Sequence, residues 1–249
     1  MGKMIKFEFR KLFRSTAFYI CTAIVLGFIA AYVGIMKLTD GILAEFGDLG
    51  ISNVGAASFF SAYGNGNVGL LGAIFVCIFI SEDYQQDTMK NIIARGYSKQ
   101  TSYWAKYLAS LSAFLIMFTL ATASGVGLMS AFFGFGEMPS NFVARFIPVI
   151  LCVIAYHAIF FAFAITFRKI ALSITLSVLL SSLVGVLIQG IDLLINQESF
   201  KISWLWIDTV MSDMNGADPN FGLAYSVPGI YIIVALLVSN IISQKKEIK

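Results

Sequence analysis

The chain reads as an all-α polytopic membrane protein with six transmembrane helices. Two observations carry that reading. Of 249 residues, 58% are hydrophobic and 12% charged, with a mean hydropathy of +0.83; a soluble fold of that composition would expose large apolar patches. The apolar residues also come in runs such as AIFVCIFI and LCVIAYHAIFFAFAI, apolar on every side, which is the pattern of membrane helices and not the alternation of a membrane barrel. At about 20 apolar residues per span, the length leaves no room for a sizeable soluble domain, so residues 1–249 form one transmembrane domain.

Residues 1–14 come first. Wound as a helix, Ile5, Phe9, Leu12 and Phe13 fall on one side and Lys3, Lys6, Arg10 and Arg14 on the other, with Phe7 breaking the pattern. Such a helix lies along the inner membrane surface, its apolar face in the headgroup boundary; plain positive flanking of the first span is the alternative. The apolar run behind it is about twice a signal-peptide core and shows no small-x-small cleavage pattern, which predicts an uncleaved span. Spans are expected at Thr16 to Met36, Phe59 to Ile80, Trp104 to Phe133, Phe146 to Phe167, Ile170 to Ile191 and Tyr225 to Ile242. Asn65 and Asn67 interrupt the second. Between spans five and six, Trp204 and Trp206 sit among acids; tryptophan prefers the interface, which predicts one or two short re-entrant helices in the outer leaflet.

Charge sets the orientation. Lys3, Lys6, Arg10, Lys11 and Arg14, then Lys90, Arg95, Lys99 and Lys106, then Arg168 and Lys169, then Lys245, Lys246 and Lys249 all fall on one side. Only Lys37, Arg145 and Lys201 fall on the other, with the acids Asp40, Glu45, Asp48, Glu137, Asp192, Glu198, Asp208, Asp213 and Asp218. The positive-inside rule places both termini in the cytoplasm. The net charge of +3 gives no clustered basic surface for nucleic acid.

Several chemical signatures dissolve on inspection. Gly64, Gly66 and Gly69 spell GxGxxG without the strand that a dinucleotide fold requires, and read as room for a helix start or a close neighbour. No phosphate loop and no HExxH occur, so no cofactor or metal site and no catalytic group is expected. Thr122, Ala123, Ser124 and Gly125 resemble the GxSG of intramembrane serine proteases but lack its first glycine; Ala123, Gly127 and Ala131 beside Ser124 read as a packing row. Cys21, Cys77 and Cys152 each fall in an apolar span, odd in number, as buried small hydrophobes.

Two features remain inside the spans. His157 is an ionisable group at mid-span, expected to face the bundle interior, either in an interhelical hydrogen bond or on a substrate or proton path. Ser173, Ser177, Ser181, Gly185 and Gln189 recur at four-residue intervals and make one small, polar stripe, for close packing or for a dimer seam lining a conduit.

Residues 81–103, SEDYQQDTMKNIIARGYSKQTSY, form a sustained polar stretch between spans two and three. Ser81 suits a helix cap, Glu82 and Asp83 its first turn, and Arg95 and Gly96 its end. Met89, Ile92 and Ile93 then share a face. A charged, solvated loop is the alternative.

In that stretch Glu82, Asp83 and Tyr84, then Thr88, Lys90 and Asn91, then Gly96, Ser98, Lys99, Tyr103 and Lys106 resemble the cytoplasmic loop between spans two and three of bacterial ABC transporter permeases of the type 2 exporter family. Asp87 stands where that family commonly has glycine and a bend. The resemblance implies that residues 82–96 are a coupling helix docking on a separate ABC ATPase subunit through Glu82, Asp83, Tyr84, Met89, Lys90, Ile92, Ile93 and Arg95. It implies ATP and Mg bound by that partner and not by this chain, which would be no enzyme itself. It also implies a dimer with a second permease copy or paralogue, a bacterial cytoplasmic membrane location, and ATP-driven export. Small permeases of this kind export or give immunity to amphipathic and antimicrobial peptides. Drug or ion efflux, and a membrane assembly or sensor subunit without transport, stay open as alternatives.

Overall fold

The computed structural model describes residues 1–44, 67–136, 141–195, 201–214 and 218–246. Among these residues the chain is helical, with no strand. In order come α1 (Gly2–Leu12), α2 (Thr16–Ala44), α3 (Asn67–Gln85), α4 (Thr88–Ala94), α5 (Lys99–Phe133) and α6 (Phe142–Phe167). Then follow α7 (Ile170–Leu179), a π-helical turn (Leu180–Val184), α8 (Gly185–Ile195), a 3-10 turn (Ile202–Leu205), α9 (Ile207–Asp213) and α10 (Phe221–Lys245). The protein is an all-α polytopic membrane protein.

Among the described residues, five helices are long and apolar enough to cross a membrane: Thr16–Thr39, Lys99–Phe133, Phe142–Phe167, Ile170–Ile195 and Phe221–Lys245. They match the first and the third to sixth expected spans, extended by a turn or so. The second expected span corresponds to α3. Its residues 59–66 lie outside the described residues, and at its other end the helix runs past Ile80 to Gln85.

Helix α6 is the centre of the bundle, with α10 on one side and α3 on another. Its small residues Cys152, Ala155, Ala158 and Ala164 are buried beside Phe160 and Phe161, so neighbouring backbones approach closely where the side chains are short. Only Arg168 and Lys169 separate α6 from α7. Arg168 takes a left-handed conformation, φ 57°, and α7 folds straight back onto α3 and α6. The outer faces of α2, α7, α8 and α10, including Phe28, Leu179, Leu194 and Ile233, are exposed and apolar, as lipid contact requires.

The close helix approach sits one turn from where the sequence pointed. Gly64 and Gly66 lie outside the described residues, and a Cβ on Gly69 would meet nothing within 4 Å. At Gly72 a Cβ would run into the Phe114 ring: position 72, not 69, faces α5. The expected packing row of Ala123, Gly127 and Ala131 is exposed, so it packs against nothing within the described chain. Ser124 donates to the Ala121 carbonyl at 2.9 Å in its own helix, while His157 meets Ser110; serine and histidine form no dyad.

The two short helices expected before the last span are the 3-10 turn and α9. Trp206 between them is buried, edge-on to Tyr231 at 6.3 Å, and its Nε1 donates to Asp208 at 3.1 Å.

Candidate functional site

The polar stretch after α3 does not begin a new helix at Ser81. Ser81 is buried inside α3, and Glu82, Asp83 and Tyr84 make its last turn. The helix breaks at Asp87, φ 55°, so the bend occurs although the residue is not glycine. Aspartate is among the few side chains that tolerate this conformation, and Lys90 Nζ pairs with its carboxylate at 2.8 Å. The short α4 then stops at Arg95 and Gly96; Gly96 adopts φ 85°, which its missing Cβ permits. Ser98 caps α5, accepting from the Thr101 N–H at 3.1 Å.

Helix α4 has two unlike faces. Met89 and Ile92 are buried against Met4 of α1 and Ala105 of α5, flanked by Ile5, Tyr84 and Tyr97. The apolar face expected to meet a partner is therefore filled by the chain's own α1 and α5, which bury hydrophobes that would otherwise face water. Ile93 is partly buried. The open face carries Asp87, Lys90, Asn91, Ala94 and Arg95.

Above α4 lies a buried charge cluster that sequence reasoning missed. Lys106 of α5 is fully buried and pairs with Glu8 of α1 at 2.9 Å and with Asp83 of α3. Lys11 of α1 reaches the other Asp83 oxygen at 2.5 Å and the Phe79 carbonyl at 3.2 Å. Two acids and two lysines from three helices balance, which a buried ion requires. Burial alone would push the Asp83 carboxyl up, but Lys106 and Lys11 beside it outweigh burial and hold it below the usual carboxylate range. Being buried, Asp83 does not belong to the open face. Arg168, at the end of α6, lies over the Tyr84 ring, 4.7 Å from its centroid.

This cluster changes the reading of α1. Its inward stripe is Met4, Glu8 and Leu12, each fully or nearly fully buried, while Phe7 and Phe13 are exposed. Residues 4, 8 and 12 share a helix face, and Glu8 is the single acid among five basic residues before position 15. The signal was there: an acid on the face that carries Met4 and Leu12 needs a buried partner. α5 supplies it, because 35 residues span about 52 Å, well beyond a hydrocarbon core of about 30 Å. The same end gathers the C-terminal turn of α10: Tyr103 meets Ser239 at 2.7 Å, and Lys99 donates to the Gln244 carbonyl at 3.3 Å.

His157 is fully buried at the α5–α6 contact among the rings of Tyr107, Phe114 and Phe161. Its Nε2 lies 3.0 Å from Ser110 Oγ, and that hydroxyl donates its one proton to the Tyr107 carbonyl at 3.1 Å. With that proton on the carbonyl, Nε2 carries the histidine proton and donates, and Nδ1 is left without a partner. The stripe on the fifth span divides. Ser173 and Ser177 are buried, Ser177 beside Cys77 at 3.3 Å. Ser181 is half-buried and bonds back to Val178 at 3.1 Å. A Cβ on Gly185 would stand 3.0 Å from Trp206 Nε1, and Gln189 is exposed. Among the described residues no group of histidine, cysteine, aspartate or glutamate is placed to hold a metal ion.

The family described as ABC-2 family transporter protein matches residues 4–185, a stretch that holds most of α1, the break at Asp87, α4 and the whole charge cluster. The chain belongs to that family. No curated protein matches it in sequence.

Proposed function

From its membership of the ABC-2 transporter family and the geometry around α4, we propose that the chain is the six-span permease subunit of an ATP-driven exporter, with both termini in the cytoplasm of a bacterial cell. A separate ABC ATPase holds ATP and Mg and docks on the open face of α4. Permease and ATPase each pair, so the working unit contains a second permease copy or paralogue.

The observation that carries this reading is the construction of α4. It is a short helix at one end of the bundle, free of the spans on its polar side and tied to three other helices, α1, α3 and α5, through its apolar side. A push on Asp87, Lys90 or Arg95 is passed by Met89 and Ile92 to α1 and α5, and through the last turn of α3 to Asp83 and Lys106. Closure of two ATPases on ATP would move α4 of each permease and, with it, the cytoplasmic ends of α3 and α5.

An amphipathic or antimicrobial peptide is the cargo that suits the interior. Away from the α4 end, the described buried polar groups of the spans are hydroxyls such as Ser110, Thr122 and Ser177 and one imidazole, with no ion to coordinate a small charged solute. The test is co-expression with an ABC ATPase from the same genome. Co-purification of the two, and hydrolysis that changes when the permease is present, support the reading; a permease that retains no ATPase overturns it.

A further inference from the structure

Helix α1 turns its two sides to different surroundings, and the outward one is not the side its sequence suggests. Met4, Glu8 and Leu12 are buried in the bundle, with Ile5 and Phe9 partly buried beside them. Most of the apolar side expected to rest on the membrane is thus occupied by protein. The open side carries Lys3, Lys6, Phe7, Arg10, Phe13 and Arg14, all exposed and spaced by three and four residues, which is a single helix face. α1 ends at Leu12, but the Phe13 N–H bonds to the Phe9 carbonyl and the Arg14 N–H to the Lys11 carbonyl, each at 3.1 Å, so the winding carries through both.

Three properties of this face point to one partner. Lys3, Lys6, Arg10 and Arg14 make no ion pair among the described residues, and the one acid of α1, Glu8, is buried on the opposite side, so nothing on the face offsets its charge. Phe7 and Phe13 lie among those cations, 45% and 51% exposed. That arrangement is costly in water and favourable at a lipid boundary, where rings enter the acyl edge while lysine and arginine stems reach the phosphates. The chain itself fixes the depth: the first span starts at Thr16, just past Arg14, and Tyr19 in its first turn donates to the Phe13 carbonyl at 3.0 Å, at the interfacial level tyrosine prefers. A soluble protein would have to displace lipid to reach a face at that level. Anionic phospholipid already supplies there both the charge and the apolar edge.

We infer that the outward face of α1 binds the headgroups of anionic phospholipids, with Arg10 and Arg14 taking phosphate through paired N–H groups and Lys3 and Lys6 adding charge. The consequence reaches the interior. The opposite face of the same helix carries Glu8 to Lys106 and Met4 to Met89, so lipid bound outside holds α1 where it closes the charge cluster and seats α4. The stability of this end of the bundle then depends on lipid charge, whatever the protein transports.

The test uses the full chain in neutral maltoside micelles with equimolar phosphatidylglycerol and phosphatidylcholine of the same acyl chains. Bound lipids are counted by native mass spectrometry, and melting is read on the chain with each lipid alone. Wild type should retain phosphatidylglycerol about tenfold over phosphatidylcholine and melt higher with the first lipid than with the second, the difference shrinking as salt rises. Lys6→Gln with Arg10→Gln, and separately Lys3→Gln with Arg14→Gln, should each cut that preference to about threefold or less. Both should melt like wild type in micelles without added lipid, since these side chains are exposed. Lys169→Gln with Lys245→Gln removes two exposed cations away from α1 and should keep the wild-type preference. A preference that both α1 pairs leave intact overturns the inference, and so does an equal loss in all three variants. Glycerol 3-phosphate that reproduces the melting rise overturns it as well, because the face would then read a free phosphate and not a membrane. If the α1 pairs keep the lipid preference but release a co-purified ATPase, the face is a protein contact and the lipid assignment falls.

Discussion

Lys106 and Glu8 stand 98 residues apart in sequence and 2.9 Å apart in the folded chain, both side chains wholly shielded from solvent. The pair ties α1 to α5, and through Asp83 both are tied to the last turn of α3. Removing one member of such a set leaves the others buried and uncompensated. Lys106→Met should therefore destabilise the permease by about 3 kcal/mol or more, measured as denaturant unfolding in detergent. Adding Glu8→Gln should recover part of the loss, since it removes the charge that Lys106 alone had paired, whereas Asp83 keeps Lys11. Wild-type stability of the single variant would show that the cluster is not buried in the folded protein.

Asp83 gives the cluster a pH signature. Its carboxyl is held below the usual range when folded and returns to about 3.9 when unfolded. The unfolded chain thus binds the proton first as pH falls, and the stabilisation is fully present above the unfolded value and lost as pH falls through the folded one. Melting temperature should not fall on account of this group between pH 8 and about 5, then decline in stronger acid. Asp83→Asn should melt lower at pH 7 and show a shallower acid decline; an unchanged acid decline in that variant would assign the effect to other carboxylates.

His157 is predicted to serve α5–α6 packing and not proton movement. Its Nε2 proton goes to Ser110, so His157→Gln, which keeps a donor, should retain most transport. His157→Leu should lower stability by roughly 0.5–1.5 kcal/mol, the range for hydrogen bonds between membrane helices, and Ser110→Ala should add little further in a double-mutant cycle. A Gln variant that assembles and melts like wild type yet fails to transport would put the imidazole on the pathway.

The spans were legible because their signal is long and redundant: a run of twenty apolar residues survives an error of a few at either end. The bend before α4 was legible from the resemblance, and Asp87 keeps it because its side chain tolerates positive φ. Which face of α4 and α1 turns inward was not legible. On α4, Met89 and Ile92 read as anchors for a partner, and only the placement of Met4 and Ala105 shows that the chain fills that face itself. On α1, five cations concealed one acid. Lys106 read as an inside-flanking charge because its partners come from two other helices, and no local spacing reports a contact across 98 residues.

The open face of α4 yields the most direct test of the proposed docking. Met89 and Ile92 serve the permease's own packing, so Ile92→Asp buries a charge against Met4 and Ala105. It should cost the permease several kcal/mol of its own stability; a failed pull-down with that variant would say nothing specific about docking. Lys90 and Arg95 are exposed, and the Asp87–Lys90 pair, open on both sides, contributes about 0–1 kcal/mol. Reversing both, Lys90→Glu with Arg95→Glu, should leave melting within about 0.5 kcal/mol of wild type. If the ATPase docks here, the same variant should weaken association by tenfold or more and steepen at low salt, because charge complementarity governs encounter and register. Loss of association at unchanged permease stability is the expected pattern. Undiminished pull-down and hydrolysis at low salt would move the docking surface away from α4.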